Sequence, residues 1–236
     1  MDAKTKVDNA IILAAGLASR CRPLSEKCPK GLFSVRGEVL IERQIEQIIN
    51  AGIPEIILVA GYLAEKFDYL ADKYGVKLLY NPDYAITNNM SSIWCARNYL
   101  GNSYICGSDN WFNTNVFTKY CEESYFSSLY SEEYVDEYCI EENSQGRIVK
   151  IQKGGAHCWY TLGEIFLNSI TSEMILSTLY DEYSFAKTLI IDDFCIRHID
   201  DFDFKSVHRN KGDIYEFDTI DDFCEFDESF IENNRF

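Results

Sequence analysis

The sequence predicts an α/β fold, a three-layer, doubly wound, mixed and mostly parallel sheet with a small antiparallel addition in the C-terminal half. Three observations predict it. Short apolar runs alternate with amphipathic segments up to about residue 80, the first two runs lead into glycines, and the pattern changes to alternating strands after residue 120. The chain has 236 residues, of which 47% are hydrophobic and 25% are charged, so we expect one folded domain over residues 1–236.

The first half of the chain alternates predicted strands and helices. Residues 10–14 form a continuous apolar run, which is typical of a buried parallel strand. Apolar residues recur at helical spacing over residues 40–49, and strand-like runs over 55–60 and 76–80 flank a second predicted helix over 62–74. This order requires right-handed crossovers and places ligands at the carboxyl ends of the strands.

The second half mixes antiparallel strands with helices. We expect strands over residues 124–140 and 147–151, joined by a turn over 142–146, and a further strand over 163–167. A helix is predicted over residues 171–180, and Thr171 or Ser172 is its candidate N-cap. Near the end of the chain, a strand over 214–218 is followed by a final helix that begins at Thr219.

Charge and cysteine content exclude several classes of function. The net charge of −16 argues against nucleic acid or an anionic membrane as the main partner. No apolar run approaches the roughly 20 residues of a membrane span, and no signal-peptide pattern precedes the first strand. The nine cysteines are scattered without a Cys-x-x-Cys pair, which predicts reduced thiols and a cytoplasmic protein. The sequence leaves the oligomeric state open, a homo-oligomer included.

The charge is unevenly distributed along the chain. Four basic residues fall within eleven positions, which suggests a small polyanion such as a phosphate chain as ligand: Arg20, Arg22, Lys27 and Lys30. Residues 181–236 instead carry sixteen acidic and six basic residues. This acidic end is either a solvated surface or a source of carboxylates for a metal or a cationic substrate.

The segment after the first strand carries the strongest motif. It reads Leu-Ala-Ala-Gly-Leu-Ala-Ser-Arg over residues 13–20, then Arg-Pro-Leu over 22–24 and Pro-Lys-Gly over 29–31. Small residues let backbone N–H groups approach phosphate oxygens, and Arg20 and Lys30 add positive charge. Neither a G-x-G-x-x-G fingerprint nor a Walker loop is present.

This combination resembles the nucleotidyltransferase superfamily of sugar-phosphate and alcohol-phosphate nucleotidylyltransferases. Segments around Gly61-Tyr62, Asn81, Ser108-Asp109-Asn110 and residues 214–219 narrow the resemblance to bacterial CTP:phosphocholine cytidylyltransferases of the licC type. The resemblance covers essentially the whole chain and implies the nucleotidyltransferase fold. It implies Arg20, Lys30 and Asp109 as catalytic residues, and as nucleotide-binding residues Leu13, Ala14, Ala15, Gly16, Ser19, Arg20, Lys30, Asn88 and Ser92.

Two aspartates at predicted strand ends are candidate magnesium ligands. Asp109 and Asp218 each follow an apolar segment, and magnesium is usually held by one or two carboxylates plus substrate phosphates. On spacing alone each aspartate could equally be a turn or capping residue, and Asp218 precedes the predicted final helix. The resemblance implies the metal role for both.

The acceptor side is predicted from Tyr138, Asp192 and Glu216. A trimethylammonium group is held by aromatic faces with carboxylates nearby, and the resembled family has a cage aromatic at the position of Tyr138. The chain departs from the family at Ile190 and near Leu167, where aromatics are replaced, and Trp159 and Tyr160 are candidate substitutes. Phosphocholine is the expected acceptor. Phosphoethanolamine, another amino-alcohol phosphate, an aminophosphonate and a sugar phosphate stay open.

The sequence therefore predicts a magnesium-dependent cytidylyltransferase that uses CTP and a phosphorylated amino alcohol. One alternative is a sugar-1-phosphate nucleotidylyltransferase. The other is a catalytically inactive nucleotide-sensing subunit, which would have no physical need for both metal carboxylates.

Overall fold

The structure is a computed structural model that describes residues 4–235. Its strands are β1 (Thr5–Lys6), β2 (Asn9–Ala14), β3 (Ser34–Val35), β4 (Glu38–Val39), β5 (Ile56–Ala60), β6 (Lys77–Tyr80), β7 (Ser103–Gly107), β8 (Asn110–Phe112), β9 (Tyr120–Cys121), β10 (Tyr125–Ser131), β11 (Val135–Glu142), β12 (Ile148–Gly155), β13 (Cys158–Leu167), β14 (Lys205–His208) and β15 (Ile214–Glu216). Its α-helices are α1 (Leu40–Asn50), α2 (Tyr69–Tyr74), α3 (Asn89–Cys95), α4 (Ser169–Ala186), α5 (Ile191–Arg197), α6 (Ile220–Phe226) and α7 (Phe230–Asn233).

The central sheet has a parallel half built from the N-terminal strands. Its strands lie in the order β7-β2-β5-β6, and each neighbouring pair is parallel. The chain adds β5 and β6 on one side of β2 and then places β7 on the other side. A ligand crevice is expected at such a reversal, beyond the carboxyl ends of β2 and β7.

The antiparallel part of the sheet is built from the C-terminal half of the chain. Strand β13 pairs with β7 and carries β11 and β12 beyond it, and β10 pairs with β13 and with β14. The predicted three-layer, mostly parallel mixed sheet with an antiparallel addition is thus confirmed.

Helices cover both faces of the sheet. Alternate side chains of a strand point to opposite faces, so Ala10 and Ile12 share a buried cluster with the α1 residues Ile45 and Ile48. Ile11 lies instead in a cluster on the α3 side. A third cluster joins the residues of α3, α4 and α5 to β7 and β13. Ile45 and Ile48 belong to the apolar residues whose helical spacing predicted α1, and they pack against the sheet.

The last two helices pack beneath the basic loop. Phe223 of α6 and Phe230 of α7 lie with their ring centroids 5.5 and 5.7 Å from that of Phe33. Ser34 N–H donates to Asn234 Oδ1 at 2.8 Å, and Asn234 Nδ2 donates back to Ser34 O at 2.8 Å. The C-terminal segment therefore holds the loop that carries Lys30.

Several boundaries differ from those predicted. The strand expected over residues 124–140 is two strands, β10 and β11, and the helix expected over 62–74 is a 3-10 turn followed by the short α2. Helix α4 begins earlier than predicted because Asn168, not Thr171 or Ser172, caps it by accepting a hydrogen bond from Thr171 N–H at 2.9 Å. Tertiary contacts with neighbouring strands decide such boundaries, and a single sequence does not display them.

The cysteines differ from expectation at one pair. Cys139 and Cys158 are joined as a disulfide, because β11 and β13 are paired neighbours and bring the two Cα atoms within 5.9 Å. The expectation of a wholly reduced set is wrong for this pair, and the other seven cysteines are free. No helix within residues 4–235 combines the length and apolar character that a membrane span requires.

Candidate active site

A cleft of about 570 Å³ opens beyond the carboxyl ends of β2 and β7. The residues that line it come from the glycine-bearing loop, the turn after β7, the antiparallel strands and the segment before α6. The candidate aromatics Trp159 and Tyr160 do not line it. All residues for which the sequence predicts a catalytic, nucleotide-binding, metal or acceptor role do: Leu13, Ala14, Ala15, Gly16, Ser19, Arg20, Lys30, Asn88, Ser92, Asp109, Tyr138, Asp192, Glu216 and Asp218.

The glycine-bearing loop is held by backbone hydrogen bonds on both sides. Ser108 N–H donates to Leu13 O at 3.1 Å, and Tyr62 N–H donates to Ala15 O at 3.2 Å. A Cβ at Gly16 would meet no atom within 4 Å, so the loop borders open space there. Ala18 then adopts φ +46°, which turns the chain into a short 3-10 helix over Ser19–Cys21 and sets Arg20 at the cleft.

Lys30 lies at the centre of an ion-pair network. Its Nζ is 2.8 Å from Asp109 Oδ2 and 3.7 Å from Asp218 Oδ1, and it donates to Phe217 O at 2.8 Å. Burial opposes the charge, but the Asp109 carboxylate outweighs it and holds the pKa of Lys30 above its ordinary value. Lys30 is therefore charged at neutral pH and fixed in direction.

Arg20 has a more exposed position than Lys30. Its guanidinium is 2.7 Å from Asp218 Oδ1, with 64% of the side chain accessible to solvent. An exposed ion pair contributes little stability, about 0–1 kcal/mol. Arg20 can therefore exchange this carboxylate for a phosphate at small cost.

Three carboxylates converge beside Lys30. One oxygen each from Asp109, Glu216 and Asp218 lies within 4.8 Å of the others. The antiparallel pairing of β8 with β15, in which Asn110 lies opposite Glu216, brings these distant segments together. Hard oxygen donors at this spacing, from segments fixed by a ladder, fit the preferences of Mg²⁺.

The alternative of Asp218 as a helix cap does not hold. Thr219 is the N-cap of α6, and its hydroxyl accepts from Asp222 N–H at 3.2 Å. Asp222 completes the capping box by accepting from Thr219 N–H at 2.7 Å. The Asp218 carboxylate is thus left for Arg20 and Lys30 in the cleft.

Desolvation and the two neighbouring carboxylates act together on the Glu216 carboxyl. Although the residue as a whole is exposed, desolvation of its carboxyl by the cleft walls raises the pKa, and the charges of Asp109 and Asp218 raise it further, to about 8. A cation placed among these carboxylates would relieve the repulsion between them. The donor set therefore fits a divalent ion.

On the acceptor side, Tyr138 and Asp192 are each hydrogen-bonded to a neighbouring side chain. Tyr138 Oη donates to Asp193 Oδ1 at 2.8 Å, and Thr161 Oγ1 donates to Asp192 Oδ1 at 2.8 Å. Burial raises the pKa of Asp192, while the hydrogen bond from Thr161 opposes the rise.

Two positions discussed for an aromatic cage lie elsewhere. Leu167 is fully buried in the core beside α4, and Trp159 stacks on His208 at 3.5 Å between ring centroids. Neither residue lines the cleft, whereas Ile190 does. The acceptor side consequently has fewer aromatic faces than a full cage.

On the opposite wall, Asn88 and Ser92 both have structural partners. Asn88 Oδ1 accepts from Asn89 N–H at 2.9 Å and caps α3. Ser92 Oγ accepts from Asn81 Nδ2 at 3.0 Å. Asn81 also donates to Ser91 Oγ at 2.8 Å, so this buried amide fixes two hydroxyls of α3.

Glu137, Lys153, Thr161 and Asn81 line the cleft but were not among the predicted site residues. Strand alternation would place Glu137 and Tyr138 on opposite faces, but the register of β11 shifts between Val135 and Tyr138. The sequence gives no signal for such a bulge. Asn81 was part of the quoted resemblance, and that signal could have identified it.

Comparison with known proteins identifies the family of this chain. A family profile described as the MobA-like NTP transferase domain matches residues 10–116. A choline-phosphate cytidylyltransferase of Streptococcus pneumoniae is 34% identical over 95% of this chain and 99% of its own length. A 2-aminoethylphosphonate cytidylyltransferase of Lancefieldella rimae is 32% identical over 94% of this chain and 93% of its own length.

The structure of the S. pneumoniae CTP:phosphocholine cytidylyltransferase LicC superposes with a TM-score of 0.89 at 34% identity, covering 95% of this chain and 99% of that one. The similarity to the S. pneumoniae enzyme extends along nearly the full length of both chains and includes the fold. It leads to the same family as the motifs after the strands. The chain is a nucleotidyltransferase and belongs to the family of bacterial CTP:phosphocholine cytidylyltransferases of the LicC type.

Proposed function

We propose that this protein is a magnesium-dependent cytidylyltransferase that transfers CMP from CTP to a phosphorylated amino alcohol, with phosphocholine as the expected acceptor. The observation that carries the proposal is the convergence of Asp109, Glu216 and Asp218 within 4.8 Å beside Lys30. This group stands next to the glycine-bearing loop in the same cleft. Relatives that act on choline phosphate and on 2-aminoethylphosphonate support the reaction class.

The reaction needs positioning more than covalent chemistry. An oxygen of the acceptor phosphate attacks the α-phosphorus of CTP, the bond to the β-phosphate breaks, and pyrophosphate leaves. Both reactants are anions, so their approach must be made favourable by positive charge. Lys30 supplies a charge that is fixed by its bonds to Asp109 and Phe217 O.

Asp109 and Asp218, with Glu216 beside them, would hold the magnesium ion. When bound, it neutralises phosphate charge and orients the phosphate oxygens. Arg20 would leave Asp218 and contact the triphosphate. The backbone of Leu13, Ala15 and Gly16 would contact base and ribose, and the hydroxyl of Ser92 would complete the base pocket.

The acceptor would lie near Tyr138 and Asp192. A cationic head group placed there meets the carboxyls of Asp192 and Glu137. Glu216, predicted on the acceptor side, stands instead with Asp109 and Asp218. Carboxylates and a ring face both favour a cation over a neutral sugar. This arrangement favours an amino-alcohol phosphate over the sugar-1-phosphate alternative.

A pyrophosphate-release screen tests the proposal. It crosses CTP, UTP, ATP and GTP with phosphocholine, phosphoethanolamine, 2-aminoethylphosphonate and glucose 1-phosphate, with and without magnesium. We expect release with CTP, magnesium and an amine-bearing acceptor only. Release with the sugar phosphate alone would support the sugar alternative, and CTP binding without any release would support the sensing subunit.

A further inference from the structure

A lysine of this chain stands over the ring that the acceptor's head group would use. Lys153 and Tyr138 are directly opposite each other in the antiparallel pair β12–β11. The Lys153 ammonium lies 4.7 Å from the Tyr138 ring centroid, and both residues line the cleft. This distance is within the range of a cation–π contact.

The ring has little freedom to offer another face. Its hydroxyl is held by Asp193 at 2.8 Å, and the side chain packs against the core cluster beneath α4 and α5. No carboxylate oxygen of residues 4–235 lies within 4.0 Å of the Lys153 ammonium, although its charge opposes the rise that burial causes in the pKa of Glu137 and of Asp192. Lys153 is therefore directed to the ring and not anchored by a salt bridge.

Two kinds of cationic head group respond differently to this arrangement. A trimethylammonium group has no N–H donor and gains its affinity from ring faces, so it must displace the Lys153 ammonium from Tyr138. A primary ammonium has three donors and can bond to Asp192 or Glu137 without the ring, although Lys153 also attracts these two carboxylates. The relative affinity for the two head groups thus depends on whether the Lys153 ammonium covers the Tyr138 ring.

We propose that Lys153 is a specificity-determining residue that disfavours quaternary ammonium acceptors relative to primary ammonium ones. This inference rests on the proposed function, since it concerns the acceptor of the same reaction. Its side chain is exposed on β12, so the barrier to a quaternary head is graded and not absolute. The enzyme then accepts both classes and discriminates by KM.

Phosphocholine and phosphoethanolamine form the matched pair for the test, because they differ only in the three methyl groups on nitrogen. The ratio of their kcat/KM values, at saturating CTP, is measured for the wild type and for Lys153→Met. Methionine keeps the length of the side chain and removes its charge. We expect the ratio to shift toward phosphocholine by about fivefold, through a lower KM for phosphocholine with the KM for CTP unchanged.

Three further variants control the result. Lys150→Met removes a charge from the same strand outside the cleft and should leave the ratio unchanged, and Lys153→Arg keeps a cation over the ring and should resemble the wild type. Tyr138→Leu in the Lys153→Met background should abolish the gain.

The outcomes separate this inference from the proposed function. A wild type that uses both amines with a ratio that Lys153→Met leaves within twofold would overturn the role of Lys153 alone. A shift of the ratio toward phosphocholine that persists when Tyr138→Leu is added would also overturn it. In that case Lys153 and the quaternary head group would not compete for the Tyr138 ring. A wild type that uses neither amine would overturn the proposed function together with this inference.

Discussion

Lys30 and Arg20 carry the same charge but occupy different environments, and their substitution should separate binding from stability. The Lys30 side chain is only 13% exposed and lies between two carboxylates, whereas that of Arg20 is 64% exposed. Lys30→Ala and Arg20→Ala should each weaken the free energy of CTP binding by about 1.5–3 kcal/mol, because each removes one charge-assisted contact to phosphate. Lys30→Ala should in addition lower the melting temperature, because Asp109 and Asp218 lose the cation between them.

Titration calorimetry with CTP and thermal unfolding of the same variants provide the measurements. Arg20→Ala should leave the melting temperature nearly unchanged, because its ion pair is exposed. Unchanged CTP affinity in both variants would remove the loop from the active site.

The carboxylates give a second test at the level of single residues. Asp109→Asn and Asp218→Asn keep the shape of the side chain and remove the charge that would hold magnesium. We expect turnover to fall by about a hundredfold or more, while CTP binding measured without magnesium changes little. Near-normal turnover of either variant at limiting magnesium would show that the residue is not a ligand. Asp221→Asn, at an exposed position in the first turn of α6 and outside the cleft lining, is the matched control.

At the scale of elements, the C-terminal helices position the basic loop. Asn234 exchanges two hydrogen bonds with Ser34, and Asp227 Oδ2 accepts from Arg36 N–H at 2.6 Å. Asn234→Ala should lower the free energy of unfolding by about 1–3 kcal/mol, because the partly buried backbone groups of Ser34 lose their partner. It should also raise the KM for CTP, since the loop carries Lys30.

The neighbouring Asn233 is the control for this prediction. Its side chain is exposed and donates only to Ser229 Oγ at 2.8 Å. Denaturant unfolding and CTP kinetics of Asn233→Ala should match the wild type. If Asn234→Ala changes stability but not the KM for CTP, the helices support the fold without positioning the site.

The sequence was informative where local pattern and tertiary structure coincide. The apolar runs predicted β2 and β5 because fully buried parallel strands are apolar on both faces, whereas the edge strand β6 was predicted although it is only partly buried. The loop from Leu13 to Lys30 could be found because its chemistry is contiguous in the chain. The meeting of Asp109 with Glu216 was not predictable from periodicity, since the ladder of β8 and β15 joins segments far apart in sequence. Resemblance supplied only the pairing of Asp109 with Asp218, and Glu216 was predicted on the acceptor side.

The acceptor side could be predicted least. Tyr138 and Asp192 were found, but Lys153 reaches the cleft through the cross-strand register of β11 and β12. Register is set by the whole sheet, and one residue of slip moves every side chain to the other face. The cytoplasmic location, the magnesium ion and the single domain over residues 1–236 stay predictions.

At the scale of the whole molecule, a net charge of −16 makes pH a useful probe of how the antiparallel half is held. Lowering the pH relieves general repulsion, which stabilises the fold, but it also protonates carboxylates that form ion pairs. Glu123 joins separate segments of that half: its carboxylate lies 2.6 Å from Lys205 Nζ on β14 and 2.7 Å from Arg147 Nη2 near the start of β12.

The hydrogen bond from Lys205, together with the charge of Arg147, holds the pKa of Glu123 below its ordinary value against the opposing effect of burial. A carboxyl whose pKa is lower in the folded state stabilises the fold above its unfolded pKa of about 4.3 and loses that contribution as the pH falls through the folded value. Glu123→Gln should therefore lower the free energy of unfolding by about 1–2 kcal/mol at pH 7, and the difference from wild type should shrink as the pH drops below about 4.

Because the variant and the wild type share nearly the same general repulsion, the difference between their urea unfolding curves at each pH isolates this carboxylate. Glu122→Gln, whose partner Lys4 is 3.8 Å away at an exposed site, should show almost no difference at any pH. A Glu123→Gln deficit that persists unchanged at pH 3 would mean that the glutamate acts through packing and not through its charge. A deficit that fades with the protonation of Glu123 would identify it as an electrostatic tie between β14 and the start of β12, the two segments that flank the strands of the acceptor side.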